Sequence, residues 1–267
     1  MNDRLLLYID ILGFSDLVAG DPSRVDDLYE VVASLTVHRH DAFKCIIFSD
    51  TILVYNLDGG DSPQDKQYLL MFMCEFAKDL MHRLTGRKIV YRAVITCGCF
   101  RHYQLNDVPC FYGAALIKAY EAEKNIKAIG VFMDRRLVAY SDIFETVPFN
   151  DEFNFVYITQ SLNTVEMWEL PCSASYVEST DLKWSAGPEL LHIVDIISNT
   201  KASLPDSVLI KYQTTLNLYK QRYPRIVELL ECSNLDISIM SPEVNWQDVI
   251  DRYPENCSYA IKKREDF

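Results

Sequence analysis

The sequence predicts an α+β fold, with a ferredoxin-like βαββαβ core carrying an antiparallel sheet and a helical C-terminal extension behind it. Three observations lead there. Short, strongly apolar runs alternate with helically spaced stretches over roughly the first 135 residues. A hydrophobic fraction of 49% against 24% charged residues, in 267 residues, is enough for one sizeable core. After Pro188 the apolar residues recur only at helical spacing.

Residues 4–14 are apolar on both sides and read as a central strand. Asp21-Pro22 opens a helix in which Val25, Leu28, Tyr29, Val32 and Leu35 recur. Two β-rich runs within 43–57 surround Ser49-Asp50 and make a hairpin with its tip at the aspartate. Ser62-Pro63 starts a long helix through Leu84, and Gly86 closes it. Residues 88–97 form a strand, 101–109 a polar loop, Ala114 to Asn125 a helix and 129–133 another strand. Further strands are expected near 153–158 and 165–170, and the core helices are expected on one face of the sheet. A soft boundary near residue 180 separates a catalytic domain (1–180) from a helical extension (181–267).

The formal net charge of −12 argues against a partner that is nucleic acid, which would require a basic stripe. No apolar run approaches bilayer length and no secretory start is visible, so no membrane partner is expected. The eight cysteines form no CxxC pair, and several stand in apolar runs, which fits reduced thiols in a cytoplasmic protein. The five histidines show no zinc-ligand spacing.

Asp10 and Asp50 each stand beside a short apolar run, so each carboxylate lands at the edge of a buried sheet, where an unpaired charge is costly. If the first strand neighbours the hairpin tip, the two converge although they are 40 positions apart. Magnesium is commonly held by one or two carboxylates plus substrate phosphates, so the pair suits a phosphoryl-transfer centre. The backbone amides from Ile11 to Phe14, with Gly13 allowing close approach, would then meet a polyphosphate. The plainer alternative is that each aspartate caps a strand end.

Tyr8-Ile9-Asp10-Ile11-Leu12-Gly13-Phe14 resembles the opening metal motif of class III nucleotide cyclases, and Phe48-Ser49-Asp50-Thr51 resembles their second metal-binding hairpin. Arg92 to Gly98 is similar to the family strand with arginine six positions before glycine. The stretch from Phe111 through Gly113, Ala115, Leu116, Ala119 and Tyr120 to Glu123 is similar to the bacterial pyrimidine cyclases of the Pycsar antiphage system. The four motifs span roughly residues 4–135.

This resemblance implies a metal site of Asp10, Ile11 and Asp50 holding two divalent cations, Mg²⁺ or Mn²⁺, with the two aspartates catalytic. It implies a homodimer with composite sites, the aspartates from one protomer and the residues around Gly113 from the other. The reaction implied is conversion of a pyrimidine nucleoside triphosphate to its 3′,5′-cyclic monophosphate and pyrophosphate. The product then signals infection to a separate effector protein. UTP is the favoured substrate and CTP the second choice.

The departures from purine cyclases bear on substrate. Where those enzymes set asparagine and arginine, four and eight residues after the glycine, this chain has Ile117 and Glu121. Where they set a lysine or glutamate to read the base, this chain has Ile46, and Cys110 stands three residues before Gly113. Ile46 and Cys110 are therefore the expected base-choosing neighbourhood. Gly13, Phe14, Lys118 and Lys124 are candidate phosphate contacts, with Arg101 beside them, and Tyr112 is a candidate stacking partner for the base. The plainer reading of Lys118, Lys124 and Arg101 is a solvated surface charge, and Tyr112 reads equally as a packing aromatic. Two alternatives stay open: an adenylate or guanylate cyclase with an unusual base pocket, and a catalytically silent cyclase-like dimerisation or sensor module.

Overall fold

The computed structural model describes residues 3–252. The chain divides into two compact units. The first holds residues up to Leu80 together with Val90–Ile158; the second holds Met81–Ile89 together with the chain from Thr159 onward.

The first unit begins with β1 (Asp3–Leu12), α1 (Phe14–Gly20), α2 (Ser23–Ala33), β2 (Phe43–Phe48) and β3 (Thr51–Asn56). The long α3 (Pro63–Leu84) leads to β4 (Val90–Cys99), a hairpin of β5 (Arg101–Leu105) and β6 (Val108–Tyr112), and α4 (Ala114–Asn125). The sheet is completed by β7 (Gly130–Asp134), β8 (Thr146–Pro148) and β9 (Phe153–Val156), giving the order β2-β3-β1-β4-β7-β9-β8. Its first four strands run β2-β3-β1-β4 and are antiparallel throughout, which is the split βαβ arrangement. Among the described residues the one parallel pair is β4 with β7.

Leu5, Leu6, Leu7, Tyr8 and Ile9 are all buried, so β1 is covered on both faces, and each such aliphatic side chain contributes about 1.5–3 kcal/mol of burial. The cover comes from helices on both faces rather than the single face expected. Successive residues of a strand point to opposite sides. On β4, the Tyr91 hydroxyl donates to the Ala77 carbonyl of α3, while the next residue, Arg92, donates to the Ile126 carbonyl that ends α4.

Two further expectations are corrected. Residues 101–109 are not a loop but most of a hairpin, β5–β6, turned by Asn106 and Asp107, both in the left-handed region at φ 49° and 68°. Asn and Asp tolerate that conformation, and their polarity is what made the segment look like a loop. Residues 165–170 are not a strand either: Ser161–Met167 is a helix, α5, in the second unit. Its Leu162 amide and Ser161 hydroxyl donate to the buried carboxylate of Glu189, satisfying the helix start.

The second unit continues through α6 (Ala174–Ser179), α7 (Leu182–Thr200), α8 (Asp206–Arg222), α9 (Pro224–Cys232) and α10 (Gln247–Ile250). Pro188 lies inside α7 instead of preceding it. A Cβ on the neighbouring Gly187 would come within 2.7 Å of Val249, so the bare glycine lets α7 and α10 approach closely. Among the described residues no helix is long and apolar enough to cross a membrane. The seven described cysteines are free thiols, and Cys257 lies outside the described residues.

His192 of α7 is buried, with Nε2 3.2 Å from the Tyr219 hydroxyl. Burial, reinforced by His82, pushes its pKa down to about 4. An unfolded histidine titrates near about 6.5, so between those values the unfolded chain binds the proton that the native one refuses. Stability should therefore fall as pH drops through that window. Denaturant melts from pH 7 to pH 4 on the wild type and on His192→Gln should show a steeper loss in the wild type; parallel losses would count against this account.

Candidate active site

The site is built where β1 ends against the hairpin tip. The β1–β3 register sets Asp10 opposite Thr51, and the Ile11 amide donates to the Asp50 carbonyl at 2.9 Å. Ser49-Asp50 is the two-residue turn, with Phe48 opposite Thr51 and Ser49 in the left-handed region at φ 55°. The tip is tied to α2, whose Tyr29 hydroxyl donates to the Ser49 carbonyl at 3.2 Å. Two aspartates 40 positions apart are thus brought together, Asp10 on β1 and Asp50 in the turn beside it.

Tyr8 is two residues from Asp10 and so shares its face of β1. Its hydroxyl lies 3.4 Å from the Thr51 hydroxyl. Burial pushes the Tyr8 phenol up, the bond with Thr51 opposes that push, and the charges of Asp10 and Asp50 add to it. On the same side, Arg92 is 3% exposed, and its Nη2 is 3.5 Å from Asp10 Oδ2 and paired with Glu123 of α4. Nη1 donates to the Ile126 carbonyl at 2.6 Å. Burial pulls the guanidinium down from its ordinary range, and the Asp10 charge opposes that pull. Arg92 therefore lies at the aspartate site as well as inside the sheet. Tyr8 was not singled out, although its alternation with Asp10 was the signal available.

The other candidates are dispersed. Gly13 sits at φ 75° between β1 and α1, and Phe14 begins α1 with its ring 6.4 Å from that of Tyr29. The Ile11 amide is not open to a phosphate, because the hydrogen bond to Asp50 already uses it. Ile46 lies on β2 opposite Leu53, half-buried. Cys110 lies on β6 opposite Tyr103, its thiol 3.6 Å from the Val108 carbonyl. Tyr112 is 45% exposed, with its hydroxyl 3.5 Å from Arg101. Lys124 holds its ammonium 3.9 Å over the Tyr120 ring.

Lys118 donates to Asp134 at 2.7 Å and lines, with Glu121, Arg136 and Phe153, a cavity of about 400 Å³. Burial alone would raise the Asp134 carboxyl, but bonds from Arg136 and Lys118 outweigh it and hold it at about 2. The Lys118 charge is thus held by Asp134.

Asp10 and Asp50 are partly exposed hard-oxygen donors at one strand edge, a donor set that suits Mg²⁺ or Mn²⁺. Among the described residues no group of three or more His, Cys, Asp or Glu is arranged to hold a metal. The pair would supply two protein carboxylates and leave the remaining coordination to water and substrate phosphates.

No family model matches the chain, and no curated protein sequence does. Solved structures similar to it include the adenylyl cyclase CyaB from P. aeruginosa (11% identity, 58% of this chain and 93% of that one, TM-score 0.44). A monomeric guanylyl cyclase domain of the RhoGC fusion protein from Blastocladiella emersonii is similar at 16% identity, over 58% of this chain and 94% of that one, with TM-score 0.45. The guanylate cyclase domain of RhGC from Catenaria anguillulae, in complex with GTP, is similar at 12% identity, over 58% and 96%, with TM-score 0.43. At these values the likeness decides nothing about activity, which is read below from the residues just described.

Proposed function

We propose that this chain is a class III-type nucleotide cyclase acting on a pyrimidine nucleoside triphosphate, with UTP favoured over CTP. The observation that carries the reading is the placement of Asp10 on β1 beside the β2–β3 turn that holds Asp50 in a β2-β3-β1-β4 sheet, each inside the motif that resembles the family's metal sites. The ribose 3′-oxygen attacks the α-phosphorus, its proton passes to solvent or a phosphate oxygen, and pyrophosphate leaves. Two divalent cations, held by Asp10, Asp50 and the main chain of Ile11, would supply Lewis acidity at the 3′-hydroxyl and the phosphates. Buried Arg92, 3.5 Å from the Asp10 carboxylate, would help to hold it for the cation.

The exposed apolar side chains of β5, β6 and α4 support a homodimer whose partner would complete each site. Leu105, Val108 and Ile117 are each 59% exposed, and Tyr103, Tyr112 and Tyr120 are 42–46% exposed. The hairpin that carries Cys110 is anchored to β3 by a 2.7 Å bond between the Tyr55 hydroxyl and His102. With Ile46 it offers a base only weak polar recognition, which favours a small pyrimidine over a purine held by a charged side chain. Reduced cysteines fit a cytoplasmic protein, and by resemblance to the Pycsar cyclases its product serves a separate effector in antiviral defence. One observation favours a second reading, a silent cyclase-like module: Ile117 and Glu121 stand where purine cyclases place asparagine and arginine.

Incubating the purified chain with each of the four nucleoside triphosphates and Mn²⁺ or Mg²⁺ should yield cyclic UMP as the main product. A purine product would move the assignment to the adenylate or guanylate reading, and no cyclic product from any triphosphate would favour the silent module.

A further inference from the structure

We infer that Glu123 is a positioning residue that controls how closely Arg92 pairs with Asp10, and so sets the affinity of the aspartate site for a divalent cation. This rests on the cyclase reading only in taking Asp10 as a metal ligand.

The Arg92 side chain is 4% exposed and has few partners to choose from. Nη1 is fixed on the Ile126 carbonyl, and buried Nε has no hydrogen-bond acceptor among the described residues. Nη2 alone faces two carboxylates, Asp10 of β1 and Glu123 of α4, the latter 12% exposed. One buried cation is thus shared between an acid that would hold metal and one that would not. At 3.5 Å the contact with Asp10 is an ion pair longer than a well-formed charge-assisted hydrogen bond.

A guanidinium drawn fully onto Asp10 would occupy its lone pairs and repel an incoming cation through a low-dielectric path. Glu123 prevents this by offering Nη2 a second anion from the helix side. Removing its charge leaves Asp10 as the sole carboxylate for Arg92, and also deletes one negative charge near the metal. Both effects lower cation affinity. Burial makes them strong, since Arg92 cannot relax into water.

The test measures Mn²⁺ binding directly, by electron paramagnetic resonance of the free ion, on wild type, Glu123→Gln, Glu123→Met and Glu123→Asp, with a thermal melt of each. The two neutral variants are tested in parallel so that one folded protein suffices. Each is expected to raise the Mn²⁺ dissociation constant about tenfold, and Glu123→Asp, which keeps the charge, to stay within about threefold of wild type. A lowered Tm with unchanged Mn²⁺ affinity in the neutral variants would overturn the inference and leave Glu123 as a simple tie between α4 and β4. Wild type that binds no Mn²⁺, or binds it equally well after Asp10→Ala, would instead overturn the metal reading itself, and the inference with it.

Discussion

Asp50→Ala is expected to lower cyclic nucleotide formation by about a thousandfold or more while leaving the Tm nearly unchanged. The two effects separate because Asp50 does two jobs with different atoms. Its main-chain carbonyl accepts the 2.9 Å bond from the Ile11 amide, and alanine keeps that bond. Its carboxylate stands partly exposed at the hairpin tip, where it would meet metal and where its loss removes little packing. The measurement is product formation at saturating Mn²⁺ together with a thermal melt, and retained turnover would remove Asp50 from the metal site. The same variant tests composite sites when mixed with an inactive Tyr112→Ala protein. If subunits exchange freely, half the dimers are mixed and each has one intact site, so about a quarter of wild-type activity should return. No recovery would argue for sites complete within one protomer.

Gly113→Ala is expected to cost more than about 3 kcal/mol or to prevent folding. Gly113 joins β6 to α4 at φ 156°, and a Cβ there would collide with the Cys99 carbonyl oxygen and lie 2.7 Å from the Phe100 Cα. Backbone atoms cannot swing aside as a side-chain tip can, so β4 or the hairpin would have to shift. Gly13→Ala is the matched comparison. Gly13 also has a positive φ, 75°, yet a Cβ there meets nothing within 4 Å, so the cost is the left-handed backbone alone, about 1–2 kcal/mol. Urea melts of both variants read the difference. Equal losses would mean that backbone conformation, not the close approach to β4, is what Gly113 protects.

Much of the fold was legible because its signals are local. Leu5 to Ile9 announced a strand covered on both sides, and β1 is buried throughout that stretch. Pro63 and Gly86 bracketed α3, and the expected helix from Ala114 to Asn125 is α4 residue for residue. The errors came where one local pattern serves two structures. Asn106-Asp107 in a polar stretch suits either a loop or a tight hairpin turn, and only the pairing of Arg101 with Tyr112 decides. Val165 and Met167 alternate as a strand would, yet the Leu162 amide is received by a carboxylate 27 positions away, which starts a helix instead. The pattern reads as helical after Pro188, but α7 begins six residues before it, at Leu182.

The candidate site divides the same way. The sequence by itself determined that Asp10 and Asp50 sit at the ends of apolar strands and that Ser49-Asp50 turns a hairpin, because alternation and turn chemistry act over a few residues. Only the tertiary structure decided their neighbours, the Tyr8 hydroxyl against that of Thr51 and Arg92 drawn between Asp10 and Glu123, and committed Lys118 to Asp134 elsewhere in the unit. Those contacts join residues 16 to 82 positions apart along the chain. Each depends on which helix covers which face of the sheet, and that is set by the packing of the whole unit, which no short stretch of sequence encodes.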